Sequence, residues 1–213
     1  MHELLNKVAA LARGMGRTVT FMEVCGTHTM AVSRSGLRTL LPSNVRLISG
    51  PGCPVCVTDT SYIDAAIELA RRSDVMVTTF GDLVRVPGSE SSLERERAAG
   101  CDVRVVYSPS DALALARKTP GKQVVFLGVG FETTAPTVAW TIKKAAEDEV
   151  PNFSVLCAHK TMPRAMEALL KDHEVKIDGF ICPGHVSVIT GAKIYRFIPD
   201  RYGIPCVVSG FEP

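Results

Sequence analysis

Three cysteines and a histidine near the start of the chain are the residue types from which a metal or redox site is made. Cys25 and His28 stand in Cys25-Gly26-Thr27-His28-Thr29, and Cys53 and Cys56 in Gly50-Pro51-Gly52-Cys53-Pro54-Val55-Cys56. Each motif directly follows a run that reads as a β-strand, so the thiols fall on turns. Two residues between Cys53 and Cys56 let their sulfurs meet in a disulfide or share a metal. A helix beginning a few residues after Cys56 would present the positive end of its dipole, which favours a thiolate. Cys25 and His28 are three apart, which places both over the first turn of one helix, either as a nucleophile and base or as two metal ligands. Gly26 lets the backbone approach a ligand closely. The plainer alternatives are half a zinc knuckle or incidental thiols at Cys53 and Cys56, and a buried cysteine beside a capping threonine at Cys25. No second Cys-x-x-Cys or His-x-x-x-His completes a tetrahedral zinc set.

Two further residues sit in similar settings. His185 follows Pro183-Gly184, where an ordinary surface histidine is the alternative. Glu132, between Phe131 and Thr133, reads as a carboxylate at a helix start, stabilised by the dipole. Cys101, Cys157 and Cys206 lie beside or within strand patterns and read as small core residues, while Cys182 fits either class. The glycines of Gly128-Val129-Gly130-Phe131 follow a strand but do not complete a dinucleotide fingerprint.

The elements that must position these groups alternate in type. Strands are expected over 18–24, 45–49, 75–80, 103–107, 123–127, 154–158, 179–182 and 205–209. Helices are expected over 3–12 (Leu4, Val8 and Leu11 on one face), 29–40, 60–72, 92–99, 110–118 and 137–147, with another after Thr161. Asp59 or Thr60 caps the helix at 60, Ser110 caps that at 110, and Pro136 fits a first turn. Strands rich in Val, Ile and Phe, alternating with helices, imply an α/β fold of mostly parallel sheets with helices on both faces. Ligands gather at the carboxyl ends of such strands. Cys25 to Thr29, Gly50 to Cys56, Gly81-Asp82, Gly128 to Thr134, His159-Lys160 and Cys182 to His185 all fall there. An internal echo, Val24 to Thr29 against Val129 to Thr134 and Pro51-Gly52-Cys53 against Pro183-Gly184-His185, suggests two similar lobes, 1–118 and 119–213, facing each other across a cleft.

The chain has 213 residues, with 24 basic and 22 acidic side chains and a net charge of +2. That balance supplies no electrostatic footprint for nucleic acid or a membrane surface. No apolar run approaches the roughly 20 residues of a membrane span, and the N-terminus lacks the pattern of a secretory signal. The cytoplasm is therefore the expected compartment, and in a reducing compartment seven irregularly spaced cysteines, in a chain large enough to fold unaided, lean towards metal binding or catalysis rather than a structural framework.

Taken jointly, Phe21 to Thr29, Gly50 to Cys56, Gly130 to Pro136, Cys182 to Ser187 and the terminal Gly210 to Pro213 resemble the HypD family of hydrogenase maturation factors, in the family's order and over almost the whole chain. The resemblance implies a scaffold on which the Fe(CN)2CO unit of [NiFe]-hydrogenases is assembled. Its implied partners are a small HypC-type chaperone and a HypE-type cyanide carrier. It implies that Cys25 ligates the iron with a cysteine of the chaperone, that Cys53 and Cys56 are a redox dithiol, and that His28, Glu132 and His185 orient ligands or handle protons. Family members continue into a four-cysteine segment that carries a [4Fe-4S] cluster, and that segment is missing from this sequence. Residue chemistry alone also allows a thiol-disulfide oxidoreductase using Cys53 and Cys56, or a structural zinc protein.

Overall fold

The structure, a computed structural model, describes residues 2–172 and 175–211. It is α/β, with two four-stranded sheets in which every strand pairing is parallel. The chain divides into two compact units, one made of Met1–Cys53 with Thr161–Pro213, the other of Pro54–Lys160.

The first unit begins with α1 (His2–Gly14), β1 (Val19–Glu23), α2 (Gly26–Arg34), α3 (Leu37–Leu40) and β2 (Val45–Ser49). The single helix expected over 29–40 is broken at Gly36, whose φ of 64° lies in the left-handed region that glycine tolerates. The apolar face expected of α1 is not buried. Leu4 and Leu11 are exposed and Ala12 is the packed residue.

The second unit contains α4 (Thr60–Ala70), β3 (Val75–Thr79), α5 (Leu93–Ala98), β4 (Val103–Val105), α6 (Pro109–Lys118), β5 (Gln123–Gly128), α7 (Ala135–Glu147) and β6 (Phe153–Cys157). Its sheet runs β4-β3-β5-β6. All five residues of β3 are buried, as a central parallel strand covered on both faces requires. The expected stripe Ile63, Ala66, Ile67 and Ala70 of α4 packs with Val75, Val77 and Leu127. Asp59 caps that helix, its side chain accepting from the Ser61 amide. For α6 the cap is Ser108 rather than Ser110. Ser108 accepts from the Asp111 amide while Asp111 accepts from the Ser108 amide, a reciprocal box that starts the helix at Pro109.

The chain then returns to the first unit through α8 (Met162–Lys171), β7 (Gly179–Pro183), α9 (Gly184–Thr190), a 3₁₀ turn (Ala192–Tyr195), α10 (Phe197–Tyr202) and β8 (Cys206–Ser209). The three helical pieces between β7 and β8 had no counterpart in the sequence reading. The sheet runs β2-β1-β7-β8.

The division therefore differs from the expected split at 118. Phe21, Met22 and Glu23 of β1 pair with Gly179, Phe180 and Ile181 of β7, which joins the two ends of the chain in one sheet and leaves 54–160 as the other unit. The lobes are alike in topology: in each, the first strand lies between the second and third and the fourth lies outside the third. The motif echo does not follow that equivalence. Cys25 to Thr29 follow the first strand of their sheet, whereas Gly130 to Thr134 follow the third strand of the other.

Asn152 closes the second unit beneath β5. Its side-chain amide, buried, donates to the carbonyls of Ala116, Thr119 and Lys122 at 2.9, 3.1 and 2.9 Å. Asn152→Ala removes the side-chain donor shared by those carbonyls, of which Ala116 and Thr119 keep a backbone donor, and is expected to lower stability by about 1–3 kcal/mol. Urea unfolding checks this, the midpoint falling with an unchanged slope.

Candidate functional site

The carboxyl end of the first unit's sheet gathers four of the six residues singled out in the sequence. β1 ends at Glu23, held by Gly50 N–H donating to the Glu23 carbonyl at 2.8 Å, and Val24 N–H donates to the Ile181 carbonyl at 3.0 Å. Cys25 follows in extended conformation and is the N-cap of α2, with no side-chain capping bond. It is buried.

The second thiol motif meets the first through backbone. A Cβ on Gly52 would overlap the Gly26 nitrogen and lie 2.8 Å from the Cys25 carbonyl carbon, and one on Gly50 would lie 3.2 Å from the Glu23 carbonyl oxygen. Only residues without side chains let the Gly50-Pro51-Gly52 turn rest on the Cys25–Gly26 peptide. Cys53 is the next residue, so the turn carries it to the same end of the sheet as Cys25.

His28 lies in the first turn of α2 and is buried. Its Nε2 is 3.1 Å from the Ser209 carbonyl oxygen. A carbonyl only accepts, so Nε2 is the donor in this contact. Nδ1 is buried with no protein partner among the described residues. Phe211 separates two imidazoles, its ring centre 4.8 Å from that of His28 and 5.1 Å from that of His185. His185 sits in the first turn of α9, where Gly184 comes so close to the end of β8 that a Cβ would lie 2.9 Å from the Ser209 carbonyl oxygen. Burial, and then the neighbouring His28, hold the His185 imidazole below its usual value of 6.5. Phe211 was legible only as part of the terminal motif, and Glu212 and Pro213 of that motif lie outside the described residues.

Glu23 is the residue that sequence reasoning passed over. It is fully buried at the end of β1, with one carboxylate oxygen 3.3 Å from Arg38 Nη2 and the other without a protein partner among the described residues. The available signal was a lone charge between Met22 and Val24 in an otherwise uncharged strand.

The remaining residues belong to the second unit. Cys56 lies in the turns that precede α4, which begins at Thr60 with Asp59 as its cap. Glu132 lies in the turn after β5, two residues before the Thr134 N-cap of α7 rather than in its first turn. Of the cysteines read as core, Cys101 and Cys206 are half-buried but Cys157 is exposed, and Cys182, which fitted either class, is buried. The hydrogen bond with Cys206, and then burial, push the Cys182 thiol well up, which keeps it protonated. Among the described residues no three His, Cys, Asp or Glu side chains gather as a metal-ligand set, so the structural-zinc reading finds no site there. No described helix is long and apolar enough to cross a membrane.

Comparison with known proteins bears on this arrangement. Residues 1–213 match the model of the HypD family, described as "Hydrogenase formation hypA family". The chain is 51% identical over 214 residues to a hydrogenase maturation factor HypD of Rhodobacter capsulatus, covering 99% of this chain and 57% of that protein. It is 48% identical over 221 residues to a HypD of Cupriavidus necator, covering 99% and 58%. It is 46% identical over 213 residues to the HypD of Escherichia coli K12, covering 100% and 57%. The chain thus spans less than three fifths of the length of these relatives.

Gly52→Ala is expected to destabilise the first unit by about 1–3 kcal/mol, because backbone rather than a flexible side chain must give way. Thermal unfolding reads that loss, and Gly14→Ala, where nothing lies within 4 Å of the new Cβ, is the control. His185 should titrate below 6.5 by NMR, and His28→Gln should raise its pKa only partway, because burial is the larger cause. The sign follows. Below about 6.5 the unfolded chain takes up a proton that folded His185 refuses, so this group's contribution to stability falls as pH drops through that value.

Proposed function

This chain belongs to the HypD family, and from that premise we propose that it acts in hydrogenase maturation as the scaffold on which the Fe(CN)2CO unit of a [NiFe]-hydrogenase is built. The iron is cargo. Cys25 is its thiolate ligand from this chain, with a second thiolate from a small HypC-type chaperone, and cyanide comes from a HypE-type carrier. A soft thiolate set with positions left for strong-field diatomic ligands suits low-spin iron.

The observation that supports this reading is the setting of Cys25. Its thiol stands at the end of a central parallel strand, its backbone is pinned by Gly52, and the Nδ1 of His28, buried without a protein partner among the described residues, lies on the helix that Cys25 caps. That nitrogen takes up a proton when a thiol or an incoming ligand loses one. Cys53 and Cys56 are the redox dithiol, delivering two electrons and two protons on closing to a disulfide. Glu132 and His185 orient ligands or handle protons. The cytoplasm is the compartment in which these thiols stay reduced.

The [4Fe-4S] cluster of the family does not fit the described residues, which bring together no set of three or more ligands. No step of the proposal runs through it.

Anaerobic co-purification with the small chaperone is expected to give infrared bands in the CN and CO stretching regions, and Cys25→Ala should abolish them. Unchanged bands in that variant remove Cys25 from the role. Turnover of insulin by the Cys53–Cys56 pair, with no such bands in the wild type, would make the protein a general thiol-disulfide oxidoreductase instead.

A further inference from the structure

A second thiol stands outside the arrangement described so far. Cys157 is the last residue of β6, an edge strand, and is exposed. It pairs in register with Gly128 at the end of β5. The next links keep the two chains side by side: Ala158 N–H donates to the Gly128 carbonyl at 2.8 Å and Lys160 N–H to the Gly130 carbonyl at 2.9 Å. In this extended stretch Cys157 and His159 point to one face.

The missing side chains of Gly128 and Gly130 make room for the imidazole. A Cβ on Gly128 would lie 3.1 Å from His159 Cε1, and one on Gly130 would lie 3.2 Å from Cδ2. The ring is thereby set with Nδ1 3.4 Å from Cys157 Sγ. Nε2 is buried without a protein partner among the described residues. Burial, and then Lys160, hold the imidazole below its usual value of 6.5, so it is neutral and able to take a proton at pH 7. Lys160 donates from Nζ to Thr58 Oγ1 and to the Ala158 carbonyl, each at 3.0 Å, and burial holds its ammonium below the usual value, an effect that negative charge at the neighbouring sulfur opposes.

We propose that Cys157 and His159 form a second reactive thiol site, in the unit 54–160, that exchanges with small anionic disulfides. The thiol proton passes to His159 Nδ1 as the sulfur attacks one sulfur of the disulfide. A new S–S bond forms to Cys157, the old one breaks, and the proton leaves with the departing thiol. The small disulfide is the oxidant, and one equivalent of its thiol is released per Cys157 modified. Lys160 selects for negative charge on the reagent. This site stands independently of the role proposed for Cys25, Cys53 and Cys56.

The test exposes the reduced 213-residue chain to glutathione disulfide and follows each cysteine by peptide mass mapping. Cys157 should be modified about tenfold or more faster than Cys101, the half-buried thiol beside Glu96 in the same unit. His159→Gln should slow Cys157 by about tenfold or more and leave Cys101 unchanged. Cationic cystamine should react more slowly than glutathione disulfide, and Lys160→Met should remove that preference. A wild-type rate at Cys157 in His159→Gln overturns the proposal. So does a Cys157 that reacts no faster in the native wild type than in urea, a comparison that decides the matter should the variant fail to fold.

Discussion

The contact of Gly52 with the Cys25–Gly26 peptide is the constraint on which the first unit's thiols depend. Two adjacent parallel strands end with turns that must both leave the sheet at the same end, and side chains at that point would hold them apart. Glycine removes the obstruction, and the Gly50 amide bond to the Glu23 carbonyl fixes the register one step earlier. Everything that makes Cys25 a candidate ligand follows from this. The residue is held extended by its neighbours on both sides, it starts a helix whose first turn contains His28, and its backbone has no freedom to drift.

Much of this was legible in the sequence because it is local. Strand and helix periods, the glycine and proline punctuation at 50–54, and the Asp59 cap all act within a few residues, and each of the eight expected strands formed near its expected place. Pairing of β1 with β7 was not legible, since nothing in either five-residue strand names a partner about 160 positions away. With that pairing unseen, a cut in the middle of the chain looked natural. The motif echo pointed the same way, yet its members lie at the ends of topologically different strands. A strand end with a glycine turn is a solution that parallel sheets reach repeatedly, so similar short motifs arise without marking equivalent positions.

Cys157 and Glu23 show the other limit of sequence reading. Cys157 ends an apolar strand and reads as core, but β6 lies at an edge of its sheet, so the thiol faces solvent. Glu23 drew no notice as a charge at a strand end, and it is fully buried and reached by Arg38. Burial of a strand end depends on which strands flank it, and that is a property of topology, not of the strand's own residues.

The buried polar atoms around the first unit's strand ends carry the last step. A buried donor or acceptor without a partner costs about 1–3 kcal/mol, and folded proteins leave few of them. Among the described residues two such atoms stand in one unit, a carboxylate oxygen of Glu23 and the Nδ1 of His28, each three residues or fewer from Cys25 along the chain. Substituting leucine for either would spare that cost if packing were all that mattered. The protein satisfies the other atom of each group, Oε1 through Arg38 and Nε2 through the Ser209 carbonyl, and so fixes the orientation while leaving the reactive atom uncommitted. That is the arrangement expected of groups held ready for a water or a ligand, and it separates the strand end that bears Cys25 from the fully paired closure that Asn152 provides at the other end of the second unit's β5.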